Sequence, residues 1–138
     1  MLERALTINE REYGSDSKEV AFLLNNLGNA YDKLGDHAAA RGVLERALAI
    51  LERVYGRDHR ELAVTLAQLV DAYGKLGDQA KKRDTLERAL AIKERAYGPN
   101  HVKLGITLWN LALAYGALGD TAKQQESLRR GLAINERA

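Results

Sequence analysis

LERALAIKERAY, from Leu86 to Tyr97, is the stretch whose reading decides the fold. It returns as LERALAILERVY from Leu44 to Tyr55 and as LERALTINEREY from Leu2 to Tyr13, and a worn copy, LRRGLAINERA, starts at Leu128. Successive copies begin 42 residues apart, as do the Tyr-Gly pairs at Tyr13, Tyr55 and Tyr97. A fixed period of this length marks one supersecondary unit stacked on itself. Inside the stretch the apolar spacing is helical. Leu44, Ala47, Leu48, Ile50, Val54 and Tyr55 make a stripe broad enough to meet two neighbours, a hairpin partner and the next unit.

Working outward, the last three copies are each preceded by Leu-Gly-Asp, at Leu34, Leu76 and Leu118. Glycine ends a helix by taking the left-handed conformation, and the aspartate then caps the next helix. The segment before the first triplet, Lys18 to Leu34, spaces Val20, Ala21, Leu24, Leu27, Ala30 and Tyr31 as a helix. The repeating unit is therefore a helical hairpin, its second helices covering 37–55, 79–97 and 121–137. Asp16 with Glu19 and Asp58 with Glu61 have capping-box spacing, and Asn100 is the candidate cap in the third unit. The expected layout is a partial unit at 1–13 and units at about 14–55, 56–97 and 98–138, seven helices in all. The short first helix, and a last copy that stops before Tyr-Gly, read as a piece of a longer array.

Composition narrows the function classes. The 138 residues carry 21 basic and 19 acidic side chains, for a formal net charge of +2, with the signs mixed along the chain. No basic stripe of the kind that follows a phosphate backbone stands out, so no nucleic-acid partner is expected. The absence of cysteine excludes disulfides, thiolate metal sites and a cysteine nucleophile. Every apolar run is broken by charges, and Glu3 and Arg4 sit where a signal peptide would need its apolar core. An intracellular protein with no membrane contact is the expectation.

HEAT and armadillo arrays share a period near this one, but the residues point elsewhere. Leu24-x-x-Leu27-Gly28-x-x-Tyr31, followed by Gly35, Ala40, Leu44 and Ala47, resembles the tetratricopeptide signature. Leu66, Leu69, Tyr73, Gly77, Leu86 and Ala89 continue it, as do Leu108, Leu111, Ala112, Tyr115, Gly119 and Leu128. The 42-residue period with LERAL and Tyr-Gly is similar to the long repeats of kinesin light chains and nephrocystins. The resemblance implies an all-α fold, a right-handed α-solenoid of antiparallel helix pairs that binds proteins or peptides and needs no cofactor. Three departures stand out. Val70 takes the small-residue place after Leu69 and is expected to push that helix pair apart slightly. Lys82 and Gln124 replace the small Ala40, leaving Ala38, Ala80 and Ala122 as the expected close contacts. Gly131 replaces the alanine of the last copy and weakens that helix by up to about 1 kcal/mol.

By the same resemblance the first helix of each hairpin lines a concave groove. Its groove positions would be Phe22, Asn25, Asn26, Asn29 and Lys33; Val64, Ala67, Gln68, Asp71 and Lys75; and Ile106, Trp109, Asn110 and Leu113. Asn26, Gln68 and Asn110 recur every 42 residues. An amide both donates and accepts, so such a row can pair with a peptide backbone whatever its sequence. All six tyrosines fall at two repeat positions and read as structural; Phe22 and Trp109, the single Phe and Trp, do not. Trp109 with Ile106 and Leu113 would form an apolar wall of the kind that anchors partners. Asn29 fits the clamp that some tetratricopeptide domains use for a chaperone-tail carboxylate, but Asn25 stands where that clamp needs lysine, which disfavours such partners.

No phosphate loop, nucleophile elbow or His-Glu-x-x-His occurs, and His37, His59 and His101 lie between helices, so neither catalysis nor a metal is expected. A second class of function is structural. With no polar cap evident, part of Lys18–Leu34 and the last-helix residues Leu128, Leu132 and Ile134 are expected to be uncovered and to drive self-association into a dimer, swapped or end-to-end.

Overall fold

The computed structural model describes Arg4, residues 17–57 and residues 59–137, with side chains as far as Ile134. Among these residues there are six helices and no strand: α1 (Lys18–Lys33), α2 (His37–Tyr55), α3 (Ala63–Leu76), α4 (Gln79–Tyr97), α5 (Leu104–Ala117) and α6 (Thr121–Arg137). A 3-10 turn, Arg60–Leu62, leads into α3. The seventh helix expected, at 1–13, lies outside the described residues.

Each helix packs on its sequence neighbours, and α1 also reaches α3. The stacking is visible in the core. Val20, Ala21 and Leu24 of α1, Ala47, Ile50 and Leu51 of α2, and Leu62 and Leu66 at the start of the second unit form one cluster with Ala89 and Ile92 of α4. Burial of this kind, rather than helix propensity, holds such helices in place. Within Lys18–Leu34, Phe22 and Leu34 are 42% and 81% exposed, whereas Val20, Ala21 and Leu24 have no exposed surface. Ile134 is likewise buried, against Leu104 and Leu108. Leu132 does stand in the open, at 60% exposure.

The Leu-Gly-Asp signal works as the sequence says. Gly35, Gly77 and Gly119 have φ of 83°, 80° and 81°. The amides of Asp36, Asp78 and Asp120 donate back to the carbonyls of Tyr31, Tyr73 and Tyr115 at 2.9 Å each. The three aspartate side chains then accept from Ala39 N, Lys81 N and Lys123 N, capping α2, α4 and α6.

The other caps differ from expectation. Ser17 caps α1 by accepting from Val20 N at 3.3 Å, and Asp16 and Asp58 lie outside the described residues. In the later units a histidine holds the turn that leads into the first helix. His59 Nδ1 accepts from Glu61 N and His101 Nδ1 from Lys103 N, both at 3.1 Å. Each ring also lies on the tyrosine that closes the preceding unit, Tyr55 at 4.8 Å and Tyr97 at 5.0 Å between centroids. Asn100 does not cap α5, which begins after Lys103 without a side-chain cap.

The departures from the repeat pattern resolve by pairing large with small. Gly28 faces Leu44, and a Cβ there would come 2.7 Å from the leucine's Cγ. Val70, in the same repeat position, packs against the cluster around Leu86. Lys82 lies along Gly74 and Gln124 along Gly116, so glycines on the facing helix accommodate the larger side chains. Ala38, Ala80 and Ala122 are exposed and do not supply the close contact expected of them.

The charged residues of the deciding stretch turn out to be fasteners between units. Tyr73 Oη donates to Glu45 at 2.7 Å, and Tyr115 Oη donates to Glu87 one unit later. Arg88 Nη2 lies 2.8 Å from Glu52 and 2.9 Å from the Arg57 carbonyl. Arg130 repeats this with Glu94 at 2.7 Å and the Pro99 carbonyl at 2.8 Å. Burial and the neighbouring carboxylate hold the Tyr73 and Tyr115 phenols well above the usual tyrosine range.

Candidate functional site

The first helices α1, α3 and α5 run in sequence along one side of the stack, and two adjoining hollows open between them. The first, of ≈ 220 Å³ between α1 and α3, is lined by Asn29, Asp32, Gln68 and Asp71 over a floor of Gly28, Ala40 and Leu44. The second, of ≈ 380 Å³ between α3 and α5, is lined by Val70, Asp71, Gly74, Lys75, Lys82 and Asn110. Ala67 and Asp71 border both. The result is a polar channel crossing the first helices.

Its electrostatics centre on Lys75. The ammonium sits 3.2 Å from Asp32 Oδ2 and 3.1 Å from Asp71 Oδ2, tying α1 to α3. His37 Nδ1 lies 2.8 Å from the other Asp32 oxygen. Burial alone would raise the Asp32 pKa, but the bonds from Lys75 and His37 outweigh it and leave the carboxyl below its ordinary 3.8. Hydrogen bonds to Asp71 and Asp32 raise the Lys75 ammonium above its usual range. The Asp32 carboxylate is thus kept charged and partly neutralised in place.

Of the residues picked from sequence, Asn26, Asn29, Lys33, Asp71 and Lys75 are exposed, while Gln68 and Asn110 are half-buried. Gln68 Oε1 is a buried polar atom with no hydrogen-bond partner among the described residues. Buried amide oxygens are ordinarily paired, so an orphan at a surface channel marks unused capacity. Asn25 is not a groove residue. It is 9% exposed, and its Oδ1 accepts from Thr65 Oγ1 at 2.8 Å. Four residues after Ala21, it falls on the edge of the α1 core face, where α3 covers it.

The apolar residues separate from this channel. Phe22 and Val64 occupy one repeat position on α1 and α3 and are 42% and 61% exposed. Ile106 and Trp109 line a third hollow of ≈ 540 Å³, with Val102, Gly105, Leu128, Gly131 and Leu132, on the far face of the α5–α6 hairpin. Leu113 is 49% exposed and borders none of these three hollows.

Sequence reading passed over Asp32 and Lys82 as channel residues, and His37 as the partner of Asp32. A regular signal existed only for the fasteners, since Tyr73 and Tyr115 each follow their glutamate partner by 28 residues. Among the described residues no cluster of His, Cys, Asp and Glu could hold a metal, and no helix is long and apolar enough to cross a membrane.

Comparison with known proteins agrees with this architecture. The tetratricopeptide repeat model matches residues 1–53, 33–94 and 83–137. The structure of BtubC (BKLC) from P. vanneervenii superposes with a TM-score of 0.86 at 28% identity, covering 99% of this chain and 54% of that one. A putative kinesin light chain from Podosopora anserina with nearly identical TPR-like repeats gives 0.80 at 25% identity, covering 99% and 64%. The chain thus spans roughly half to two thirds of the length of these proteins. No curated protein sequence matches it.

Proposed function

The chain belongs to the tetratricopeptide repeat family, of the kinesin-light-chain type, and from that premise we propose that it is a non-catalytic binding module whose polar channel holds an extended peptide. The helices are taken to wind as a right-handed solenoid with α1, α3 and α5 on its concave side. The observation that carries the reading is the amide row. Asn26, Gln68 and Asn110 stand at one repeat position on three successive first helices; Gln68 and Asn110 line the two hollows, Asn26 lines neither, and Gln68 keeps an unpaired oxygen. Such amides meet backbone N–H and C=O groups without regard to side chains. Asn29, Asp32 and Asp71 around the first hollow then favour donor-rich peptide side chains.

Selection from a random peptide display library tests it. Peptides should be enriched on the chain and lost, by about tenfold or more in affinity, on a variant combining Asn26→Ala, Gln68→Ala and Asn110→Ala with unchanged helicity. No enrichment, or equal enrichment on both proteins, would count against the channel.

A second reading, self-association, is favoured by one observation. Ile106, Trp109 and Leu132, on one hairpin face, are 75%, 58% and 60% exposed. Large exposed apolar patches of this kind mark protein contacts.

A further inference from the structure

We propose that the two polar hollows take side chains of opposite charge from one peptide, a lysine between α1 and α3 and a carboxylate between α3 and α5. This rests on the peptide-channel reading and names the charge pattern that the channel selects.

The two hollows are copies of one place in the repeat. Gln68 and Asn110 stand 42 residues apart, as do Asn29 and Asp71, and the first of each pair lines the first hollow, the second the second. Two equivalent positions differ in charge. Where the first hollow has Asp32 the second has Gly74, and where the first has Ala40 the second has Lys82. A carboxylate on the first helix of the hairpin is thus exchanged for an ammonium on the second.

Neither hollow balances its charge from within the chain. Lys75 is shared by Asp32 and Asp71, at 3.2 and 3.1 Å, so two carboxylates meet one lysine. Lys82 has no such pair among the described residues. Its ammonium lies 3.5 Å from where a Cβ on Gly74 would stand, at the edge of the second hollow. The first hollow is one positive charge short and the second one negative charge short. Complementary charge of this kind fixes the register of a partner and rejects the wrong one. Two uncharged groups point the same way. Gln68 Oε1 is a spare acceptor at the first hollow, and the Asn110 amide can donate beside Lys82 in the second.

The first hollow suits lysine better than arginine. Asp32 has one oxygen 2.8 Å from His37 and the other 3.2 Å from Lys75, which also holds one oxygen of Asp71 at 3.1 Å. No carboxylate there presents an open pair of oxygens to a planar guanidinium, whereas an ammonium spreads three donors over single acceptors. Its methylene stem would lie on the floor of Gly28, Ala40 and Leu44. The hollows flank α3, so their centres are separated by about one helix-packing distance, ~8–10 Å. Extended chain rises ~3.3 Å per residue, which puts the lysine and the acid about three residues apart.

Selection from a random peptide library on the parent chain, on Asp71→Asn and on Lys82→Glu tests this, followed by affinities of single peptides. Peptides enriched on the parent should carry a lysine and an Asp or Glu about three residues apart, in one fixed order. Asp71→Asn leaves Asp32 and Lys75 in balance. Changing the peptide lysine to alanine should therefore weaken binding to the parent by about fivefold or more and to this variant by less than about twofold. Lys82→Glu should lose the preference for an acid and take a second lysine in its place, with helicity kept in both variants. Peptides enriched without the pair, or a pair that counts equally on parent and variants, overturn the charge pattern and leave the peptide channel standing. Arginine as effective as lysine overturns the choice of lysine. No enrichment on the parent overturns the pattern together with the channel.

Discussion

Arg88 ties the second unit to the first through one guanidinium that meets both the Glu52 carboxylate and the Arg57 carbonyl. With side-chain exposures of 17% and 22%, the pair is screened less than its copy, Arg130 with Glu94, at 31% and 34%. A double-mutant cycle on Arg88→Ala and Glu52→Ala should therefore give a coupling of about 1–2 kcal/mol. The same cycle on Arg130 and Glu94 should give less, and chemical denaturation reads both. The tyrosines supply a pH signature. Their folded-state pKa is raised above the ordinary 10.0. Their contribution is then complete below pH 10 and is lost as pH climbs from there, because the unfolded chain ionises first. In Tyr73→Phe with Tyr115→Phe, stability should fall less steeply above pH 10 than in the parent. The tyrosine positions were plain from the sequence, whereas their partners were not. Hydrophobic periodicity is silent about which carboxylate a buried phenol meets across a unit boundary.

At the level of elements, boundaries were largely legible because glycine and aspartate impose them sterically and by hydrogen bonding. Leu-Gly-Asp placed three hairpin turns. The start of α5 was misplaced because several polar residues cluster in the loop before it, and spacing alone does not show that the helix begins after Lys103 with no side-chain cap. Two helix glycines of like appearance should behave in opposite ways. Gly28→Ala drives a Cβ into Leu44 and should cost about 1–3 kcal/mol. Gly74→Ala meets only the Lys82 side chain, at 3.5 Å, and should stabilise α3 by up to about 1 kcal/mol. Thermal unfolding of the two variants decides between them, and equal effects would show that the Leu44 contact has no grip on the hairpin.

At the level of the whole molecule, the stack was legible and its working surface only partly so. A period of 42 residues specifies the hairpin array with little help from individual residues. The concave side was deduced as one lining from Phe22 to Leu113, yet the structure divides it. Polar residues from α1, α3 and α5 make a channel, Asn25 is sealed beneath α3, and Ile106 and Trp109 turn to the far face of the last hairpin. Helical phase explains the division. A helix between two neighbours has positions on the border of groove and interface, and sequence spacing does not say on which side of that border they fall. The deciding stretch LERALAI, repeated because each unit meets the same packing demand, holds the stack together.

The central claim is that the amide row reads peptide backbone. The most direct measurement takes a peptide selected on the chain and compares its affinity after N-methylation of successive backbone amides with its affinity after alanine substitution of the side chains. The account predicts that methylation at the positions over Asn26, Gln68 and Asn110 weakens binding by about tenfold each, while most alanine substitutions cost less. Binding that tolerates methylation and collapses on side-chain removal would contradict it.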